Sequence, residues 1–307
     1  MSITLEYSLE KTKLINKHTF NPSIIFRLQD GSYQNKINLH DDCNFILSYR
    51  SSSTTHSLDS KIYIKTNNIM EYDKLNNKIK LHFSEDNERF GSENEILEDS
   101  RFTILKNKLY LLYTHNYNSN IKQILSPYSD ENSKIEILKG IKLNNWENNW
   151  EKNWVIFNKK NSNSTFIIYQ FYPDYIICEL DQSILLSKIK SQFFPFSKPI
   201  RGGTSPIEID NKLYLFCHTH YNGYRLSVIL LDNETLDIIS YCNNILEENT
   251  NIEKITFCRG SLYIENLKTF IVSVGINDID IDFVKLDLDY VNSKLYASFA
   301  DKRVTIT

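Results

Sequence analysis

The sequence has few of the residues that make turns, and it lacks the segments that mark several protein classes. It contains 8 glycines and 6 prolines among 307 residues, so a Gly-Gly pair in this chain indicates a backbone that bends tightly or approaches another group closely. No stretch reaches the roughly 18 uninterrupted apolar residues of a transmembrane helix. Residues 1–14 lack the continuous apolar segment of a signal peptide. We therefore expect a cytoplasmic protein with no membrane partner.

Cysteine and basic charge are too scattered to indicate a function. The five cysteines are an odd number and form no CxxC pair: Cys43, Cys178, Cys217, Cys242 and Cys258. This spacing predicts mostly buried, small hydrophobic side chains in a reducing compartment, not a disulfide framework or a zinc site. The net charge is −3 and Lys and Arg form no block. A nucleic-acid partner is therefore not expected.

Apolar and aromatic residues are plentiful and recur along the chain. Hydrophobic residues make up 41% and aromatic residues 13%, which suits a β-rich protein with a large core. Five short apolar strands recur at intervals of roughly 50–60 residues, as the blades of a propeller do: Phe45–Tyr49, Leu109–Tyr113, Thr165–Tyr169, Leu213–Cys217 and Thr269–Ser273. The sequence therefore predicts an all-β fold, a five-bladed β-propeller, in one domain over residues 1–307.

The residues that flank these strands are the first candidates for a functional site, because the inner strands of a propeller converge on a central funnel. Arg50 follows the first strand and Asp99 precedes the second. Gln170 and His218 follow the third and fourth strands, and Asp278 lies just past the fifth.

Helical periodicity is weak, and the best candidate covers residues 144–154. Trp146, Trp150 and Trp154 recur there at four-residue intervals, which would place the three indoles on one helix face. The intervening residues are mostly Asn, a poor helix former, so a loop is the alternative.

Two polar motifs precede apolar strands. Glu98, Asp99 and Arg101 put adjacent carboxylates beside a guanidinium, an arrangement that suits an acid whose ionisation is tuned by its neighbour. The second motif is Lys152-Asn153-Trp154. The alternative to a functional role is, for both motifs, a solvated segment of chain. In the second motif this segment would have one packed indole, that of Trp154.

Two further motifs contain most of the clustered glycines. The first is residues 201–206, which include Gly202, Gly203 and Thr204 and precede a strand that ends at His218. His218 and His220 would face the same side of a strand, as two metal ligands can. No third ligand has suitable spacing, so no metal site is predicted. Residues 257–260 and 275–278 are typical of turns.

Taken in order, these motifs resemble glycoside hydrolase family 130, the β-mannoside phosphorylases and hydrolases. The matching positions begin at Asn21-Pro22 and continue through Glu98, Asp99 and Arg101; Lys152, Asn153 and Trp154; Gly202, Gly203, Thr204, Pro206 and Ile207; residues 215–218; residues 230–232; Phe257 and Gly260; and Gly275 and Asp278. The family is a five-bladed β-propeller, in agreement with the strand count.

The resemblance implies a carbohydrate or glycoconjugate partner and an inverting cleavage of a glycosidic bond. Asp99 takes the place of the general acid, with Glu98 and Arg101 as its neighbours. The other implied contacts to sugar or to an anion are Arg50, Lys152, Asn153, Trp154, Gly203, Thr204, His218, Tyr224 and Asp278, with Tyr224 as a surface for stacking on a sugar ring. No cofactor is expected. Inorganic phosphate is a candidate co-substrate, and the sequence sets no oligomeric state.

The sequence departs from the family at the expected phosphate site. Gln170-Phe171 stands where the family typically has an Arg-Pro pair, and Ser100 stands for Pro in the acidic motif. Loss of an Arg disfavours phosphorolysis, because forked guanidinium donors match phosphate oxygens. A hydrolase would instead need a second carboxylate, for which Asp42 and Asp278 are candidates. The alternative to an enzyme is a non-catalytic carbohydrate-binding or glycan-assembly accessory propeller.

Overall fold

The computed structural model describes most of the chain as β-strands. It covers residues 3–7, 18–40, 42–53, 59–91, 95–117, 120–128, 142–143, 153–159, 164–172, 174–180, 185–193, 199–220, 224–246, 256–277 and 279–300. Within these ranges no helix is long and apolar enough to cross a membrane.

The strands are numbered along the chain. The first eleven are β1 (Thr4–Tyr7), β2 (His18–Arg27), β3 (Tyr33–Gln34), β4 (Lys36–Ile37), β5 (Cys43–Ser52), β6 (Lys61–Asp73), β7 (Lys78–His82), β8 (Glu88–Phe90), β9 (Ile96–Leu105), β10 (Lys108–Tyr117) and β11 (Asn120–Pro127). The remainder are β12 (Lys142–Leu143), β13 (Val155–Asn158), β14 (Thr165–Gln170), β15 (Asp174–Leu180), β16 (Leu185–Phe193), β17 (Ile200–Arg201), β18 (Ile207–Ile209), β19 (Lys212–His220), β20 (Tyr224–Asp232), β21 (Ile238–Cys242), β22 (Thr256–Ile264), β23 (Thr269–Ile276) and β24 (Asp280–Asp287).

These strands form five sheets that follow one another along the chain. The first sheet has the order β1-β7-β6-β5-β2-β3, with β8 on β6; the second is β11-β10-β9; the third is β12-β16-β15-β14-β13; the fourth is β17-β19-β20-β21, with β18 on β19; the fifth is β24-β23-β22-β4. The protein is a five-bladed β-propeller, as the sequence predicts.

The hydrophobic core lies between the sheets, in five clusters. Each cluster is shared by two neighbouring sheets, and the series closes because one cluster joins the fifth sheet to the first. Alternation along β19 shows the cause: Leu213, Leu215 and Cys217 face the third sheet, whereas Tyr214 and Phe216 face the fifth. A strand buried on both faces reads as a continuous apolar run.

This two-sided burial explains the five recurring strands of the sequence. They fall in β5, β10, β14, β19 and β23, one in each sheet. Each is the second strand of its sheet, however, and not the innermost one. The strands that meet at the centre precede them in the chain. Ser23 of β2, for example, donates to the carbonyl of Arg259 and accepts from the backbone of Phe102.

The N-terminal part of the chain joins the first sheet to the fifth. β4 pairs in parallel with β22, and β1 pairs in parallel with β7 at the outer edge of the first sheet. Next to β1, Lys285 of β24 donates to the carbonyl of Ile3 at 2.7 Å, and Tyr7 donates to Asp282. Contacts between the two ends of the chain therefore hold the ring of blades together.

The helix in the described ranges is α1 (Leu288–Ala300), which follows the last strand. Leu288, Val291 and Leu295 lie on one face, at a spacing that fits a helix, and pack into the cluster between the fourth and fifth sheets. The sequence prediction missed this helix. It considered a helix over residues 144–154 instead, of which 144–152 lie outside the described residues, and Asn153 and Trp154 are not helical.

Candidate functional site

Three of the innermost strands carry a β-bulge near their N-terminal ends. In β2 the register against β5 shifts between Phe20 and Ser23, and in β9 Asp99 and Ser100 lie opposite the single residue Tyr113. In β22 the extra residue is Arg259. A bulge turns a side chain out of the regular alternation and is frequent next to active sites.

The bulges are accompanied by left-handed backbone conformations. The φ angles are 53° at Asn21, 56° at Asp99 and 66° at Asn153, which lies just before β13. Asn and Asp adopt this region more readily than other non-glycine residues. Conformations of this kind cost free energy and persist where the surrounding structure fixes them, often at functional sites.

The side chains of these residues meet. The Asp99 carboxylate accepts a hydrogen bond from Asn21 Nδ2 at 2.6 Å and another from Arg259 Nη2 at 3.1 Å. The same Arg259 nitrogen donates to Asn153 Oδ1 at 2.9 Å. Residues from the first, second, third and fifth sheets thus share one network.

Arg50 completes what we call the central polar cluster: Asn21, Arg50, Glu98, Asp99, Asn153 and Arg259. Its Nη1 lies 3.6 Å from Glu98 Oε2 and 3.7 Å from Asp99 Oδ1. Its Nε donates to Ser60 Oγ at 2.8 Å. Glu98 and Asp99 therefore share one guanidinium, and Asp99 contacts two.

Glycines let the backbones of neighbouring blades approach each other at this level. A Cβ on Gly260 would lie 2.3 Å from the backbone nitrogen of Ile24, and one on Gly202 would lie 2.1 Å from the carbonyl oxygen of Asn153. The glycines that the sequence marked as unusual are thus needed for the contact between blades.

Arg101 lies beside the cluster but contacts different groups. It donates from Nη1 to the carbonyl of Trp154 and from Nη2 to the carbonyl of Gly202 at 3.4 Å, which links three sheets. Burial, followed by the positive charge of Arg259, lowers the pKa of Arg101 to about 9. Both of these hydrogen bonds go to backbone carbonyls, so they bear on assembly of the blades and not on a ligand.

Three other predicted contact residues have structural partners. Trp154 is 1% exposed and packs against Tyr169 with 5.1 Å between ring centroids. Thr204 is buried and its hydroxyl accepts from the backbone of Phe216, while a Cβ on Gly203 would meet the Phe216 carbonyl oxygen at 2.1 Å. The burial of Trp154 agrees with the alternative given for its motif, in which the indole is packed.

His218 and Tyr224 form an aromatic group between the fourth and fifth sheets. The buried His218 ring lies 4.8 Å from that of Phe257 and 5.5 Å from that of Tyr224. Neither ring nitrogen of His218 has a hydrogen-bond partner in the structure. Burial, and then the positive charges of Arg259 and Arg201, hold the pKa of His218 well below its usual value, so the imidazole is neutral.

The structure describes only some of the remaining predicted residues. Lys152 and Asp278 lie outside the described residues, and Asp42 is exposed. Gln170 Nε2 donates to the carbonyl of Asp174 at 3.3 Å. Among the described residues, Glu98 is a carboxylate that shares Arg50 with Asp99.

Sequence reasoning did not select Arg259 or Asn21 as site residues. The pattern of residues 257–260 is typical of a turn, and Asn21 belongs only to the Asn21-Pro22 motif of the family resemblance. The available signal was a polar residue beside Gly or Pro inside an apolar strand, as in Asn21-Pro22 and Arg259-Gly260, which is typical of a bulge.

Comparison with known proteins gives a fold. No family model and no curated protein matches the sequence. Among solved structures, a β-1,2-mannobiose phosphorylase from Listeria innocua matches with a TM-score of 0.61 and 14% identity, over 91% of this chain and 92% of that one. A glycosyl hydrolase from Bacteroides ovatus matches with a TM-score of 0.63 and 13% identity, over 89% and 85%. The fold is that of the propeller glycoside hydrolases.

A more distant match extends the same fold. An exo-β-1,3-galactanase from Phanerochaete chrysosporium has a TM-score of 0.53 and 10% identity, over 89% of this chain and 61% of that one. At these identities the similarity to propeller glycoside hydrolases concerns the fold, and function has to be argued from the side chains of the central polar cluster.

Proposed function

We propose that the protein is a glycan-active enzyme that cleaves a glycosidic bond at the central polar cluster, with inversion and with Asp99 as the general acid. The observation that carries this proposal is the Asp99 carboxylate. A left-handed bulge residue projects it to the centre, where it contacts Asn21, Arg50 and Arg259 from two other sheets. Strained, charged positions of this kind are typical of active sites.

The charges around Asp99 suggest how the reaction would proceed. A general acid donates its proton to the leaving oxygen, yet the guanidinium groups of Arg50 and Arg259 favour the ionised carboxylate. An anion bound by these arginines would compete with Asp99 for their N–H donors and would let the carboxyl group hold a proton. Inorganic phosphate is such an anion, and as co-substrate it would attack the anomeric carbon directly.

With water as the nucleophile, the enzyme would need a carboxylate base. Among the residues that the structure describes, Glu98 is the candidate for this base, because its carboxylate contacts the same Arg50 nitrogen as Asp99. Inverting glycosidases hold the two carboxyl groups ~6.5–9.5 Å apart to admit the water. Phosphorolysis and hydrolysis are therefore distinguished by whether product release requires phosphate.

The second candidate function is a non-catalytic carbohydrate-binding propeller. It is favoured by the ion pairs of Asp99, whose side chain is 11% exposed and contacts two arginines. A carboxylate held in this way contributes to the shape and charge of a binding site without transferring a proton. Binding of sugar without product release would support this function.

The test is a screen of β-linked manno-oligosaccharides with and without inorganic phosphate, with products and their anomeric configuration followed by NMR. We expect Asp99→Asn to lower product release by about 10²-fold or more, as loss of a general acid does. The matched control is Asp73→Asn, which removes a carboxylate paired with Lys80 at the far end of β6. Unchanged product release in the Asp99 variant would remove this residue from the mechanism.

A further inference from the structure

Arg259 has an arrangement that packing alone does not require. Its side chain is 2% exposed, and its Nη2 donates to Asp99 of the second sheet and to Asn153 next to the third. Burying a guanidinium is costly unless carboxylates and other acceptors satisfy it. Its Nε is also buried and has no partner in the structure. The guanidinium therefore donates from Nη2 to two side chains, while its Nε–H group donates to none of the described residues.

The backbone places Arg259 and its two partners for these contacts. Arg259 is the extra residue of the β22 bulge, followed by Gly260, whose missing side chain lets β22 approach β2. Both partners of the guanidinium have left-handed backbones, at φ 56° for Asp99 and 66° for Asn153. Three unusual backbone positions, two on strands and one just before β13, thus converge on one nitrogen.

Charged groups face Asp99 from β5, from β22 and from its own strand, whereas β2 and β19 present neutral groups. Arg50 of β5 and Arg259 of β22 contact its carboxylate, whereas Glu98 and Arg101 lie on its own strand. From β2 the contact is the neutral Asn21, and from β19 the neutral imidazole of His218 is close enough to interact. Of the two arginines in contact, Arg259 forms the shorter contact, at 3.1 Å against 3.7 Å.

We propose that Arg259 is a positioning residue for Asp99. Its guanidinium fixes the carboxylate against Asn21 and sets the pH at which that carboxylate takes up a proton. This role deepens the proposed function, on which it rests for its catalytic meaning, and it assigns a purpose to Arg259, which the sequence analysis does not select as a site residue. The geometry alone predicts the effect on proton uptake, whether or not the protein turns over a glycan.

The test follows the Asp99 carboxyl group directly, by ¹³C NMR titration of the folded protein. Arg259→Gln is expected to raise the midpoint of proton uptake by about one pH unit or more, since a neighbouring opposite charge lowers a carboxyl pKa by ~1–3 units. Arg259→Lys restores a positive charge and is expected to return the midpoint most of the way. Arg89→Gln, at an exposed position of β8, serves as the matched control with no shift.

A midpoint that does not move in folded Arg259→Gln, or that moves equally in Arg259→Lys, overturns the inference. If Arg259→Gln does not fold, thermal unfolding of the double variant with Asp99→Asn decides. Removing one partner of a buried pair strands the other, so the double variant is expected to be more stable than Arg259→Gln alone, and equal or lower stability contradicts the pairing. A shifted midpoint without glycan cleavage would reject the proposed enzyme activity and leave the role of Arg259 standing.

Discussion

In β2 and β22 the N-terminal end carries a bulge with a polar side chain, whereas the C-terminal half is regular and apolar. Ile24 and Phe26 pair in register with Leu47 and Phe45, while the register breaks at Asn21. In β22, Leu262 and Ile264 continue without a shift after the break at Arg259. Each strand therefore combines a tightly packed half with an end that projects a polar or charged side chain, and the packed half fixes the position of that end.

The largest expected effect comes from the packed half. Phe26 is fully buried in the cluster between the first and fifth sheets, and Phe26→Ala is expected to lower the free energy of unfolding by about 3–5 kcal/mol. Urea unfolding measures this loss. Leu75→Ala, at a residue that is 96% exposed, is the control and should change the free energy by less than ~0.5 kcal/mol. A small loss at Phe26 would contradict the contrast between the two halves.

A second prediction concerns His218 of β19, which packs against Phe257 at the N-terminal end of β22. Burial keeps the pKa of His218 well below its ordinary value, so the unfolded chain takes up a proton that the folded protein does not. Stability is therefore expected to fall below pH ~6.5, by up to ~1.4 kcal/mol per pH unit from this residue. His218→Phe should flatten that part of the profile. Urea unfolding between pH 5 and 8 measures it, with the exposed His82→Gln as control; an unchanged slope in His218→Phe would show that the imidazole is not the source.

The smallest expected effect compares two residues with left-handed backbones, one within β9 and one in the turn that follows it. Lys106, at φ 49°, lies in the turn after β9, and Asp99, at φ 56°, lies in its bulge. Lys106→Gly is expected to stabilise the protein by about 0.5 kcal/mol, because glycine relieves the left-handed strain at some cost in chain entropy. Asp99→Gly should destabilise instead, because it removes one carboxylate partner from each of two arginines. Thermal unfolding of both variants tests the comparison, and a gain in stability at Asp99 would show that its contacts with the two arginines do not stabilise the fold.

The sequence predicted the number of blades because the second strand of each sheet is buried on both faces. Strands such as β10 and β19 appear as uninterrupted apolar runs, which recur visibly. The innermost strands did not stand out, because polar residues and glycine at the bulges interrupt their pattern. The helix α1 was missed although Leu288, Val291 and Leu295 have helical spacing, since the tryptophans at 146, 150 and 154 have a more regular four-residue interval.

The candidate site could be predicted only in part. Asp99, Glu98, Arg50 and Asn153 were selected, and they meet in the structure. The partner that joins Asp99 to Asn153 was not, because Arg259 lies 160 positions from Asp99 in the chain. Contacts at this separation depend on the ring of blades, and a single sequence carries no signal of which residues face each other across it.

The pairing of β4 with β22 has a consequence for how the protein is made. Leu39, just beyond β4, exchanges two hydrogen bonds with Asn266, a residue 227 positions later, at 2.9 and 2.7 Å. During synthesis, the side of the first sheet that packs against the fifth stays exposed until the fifth sheet has been made. Contacts of such long range slow folding and expose a chain to aggregation. Asn21 and Arg259 belong to the same two sheets, so the growing chain cannot assemble the central polar cluster before nearly all of it has been translated.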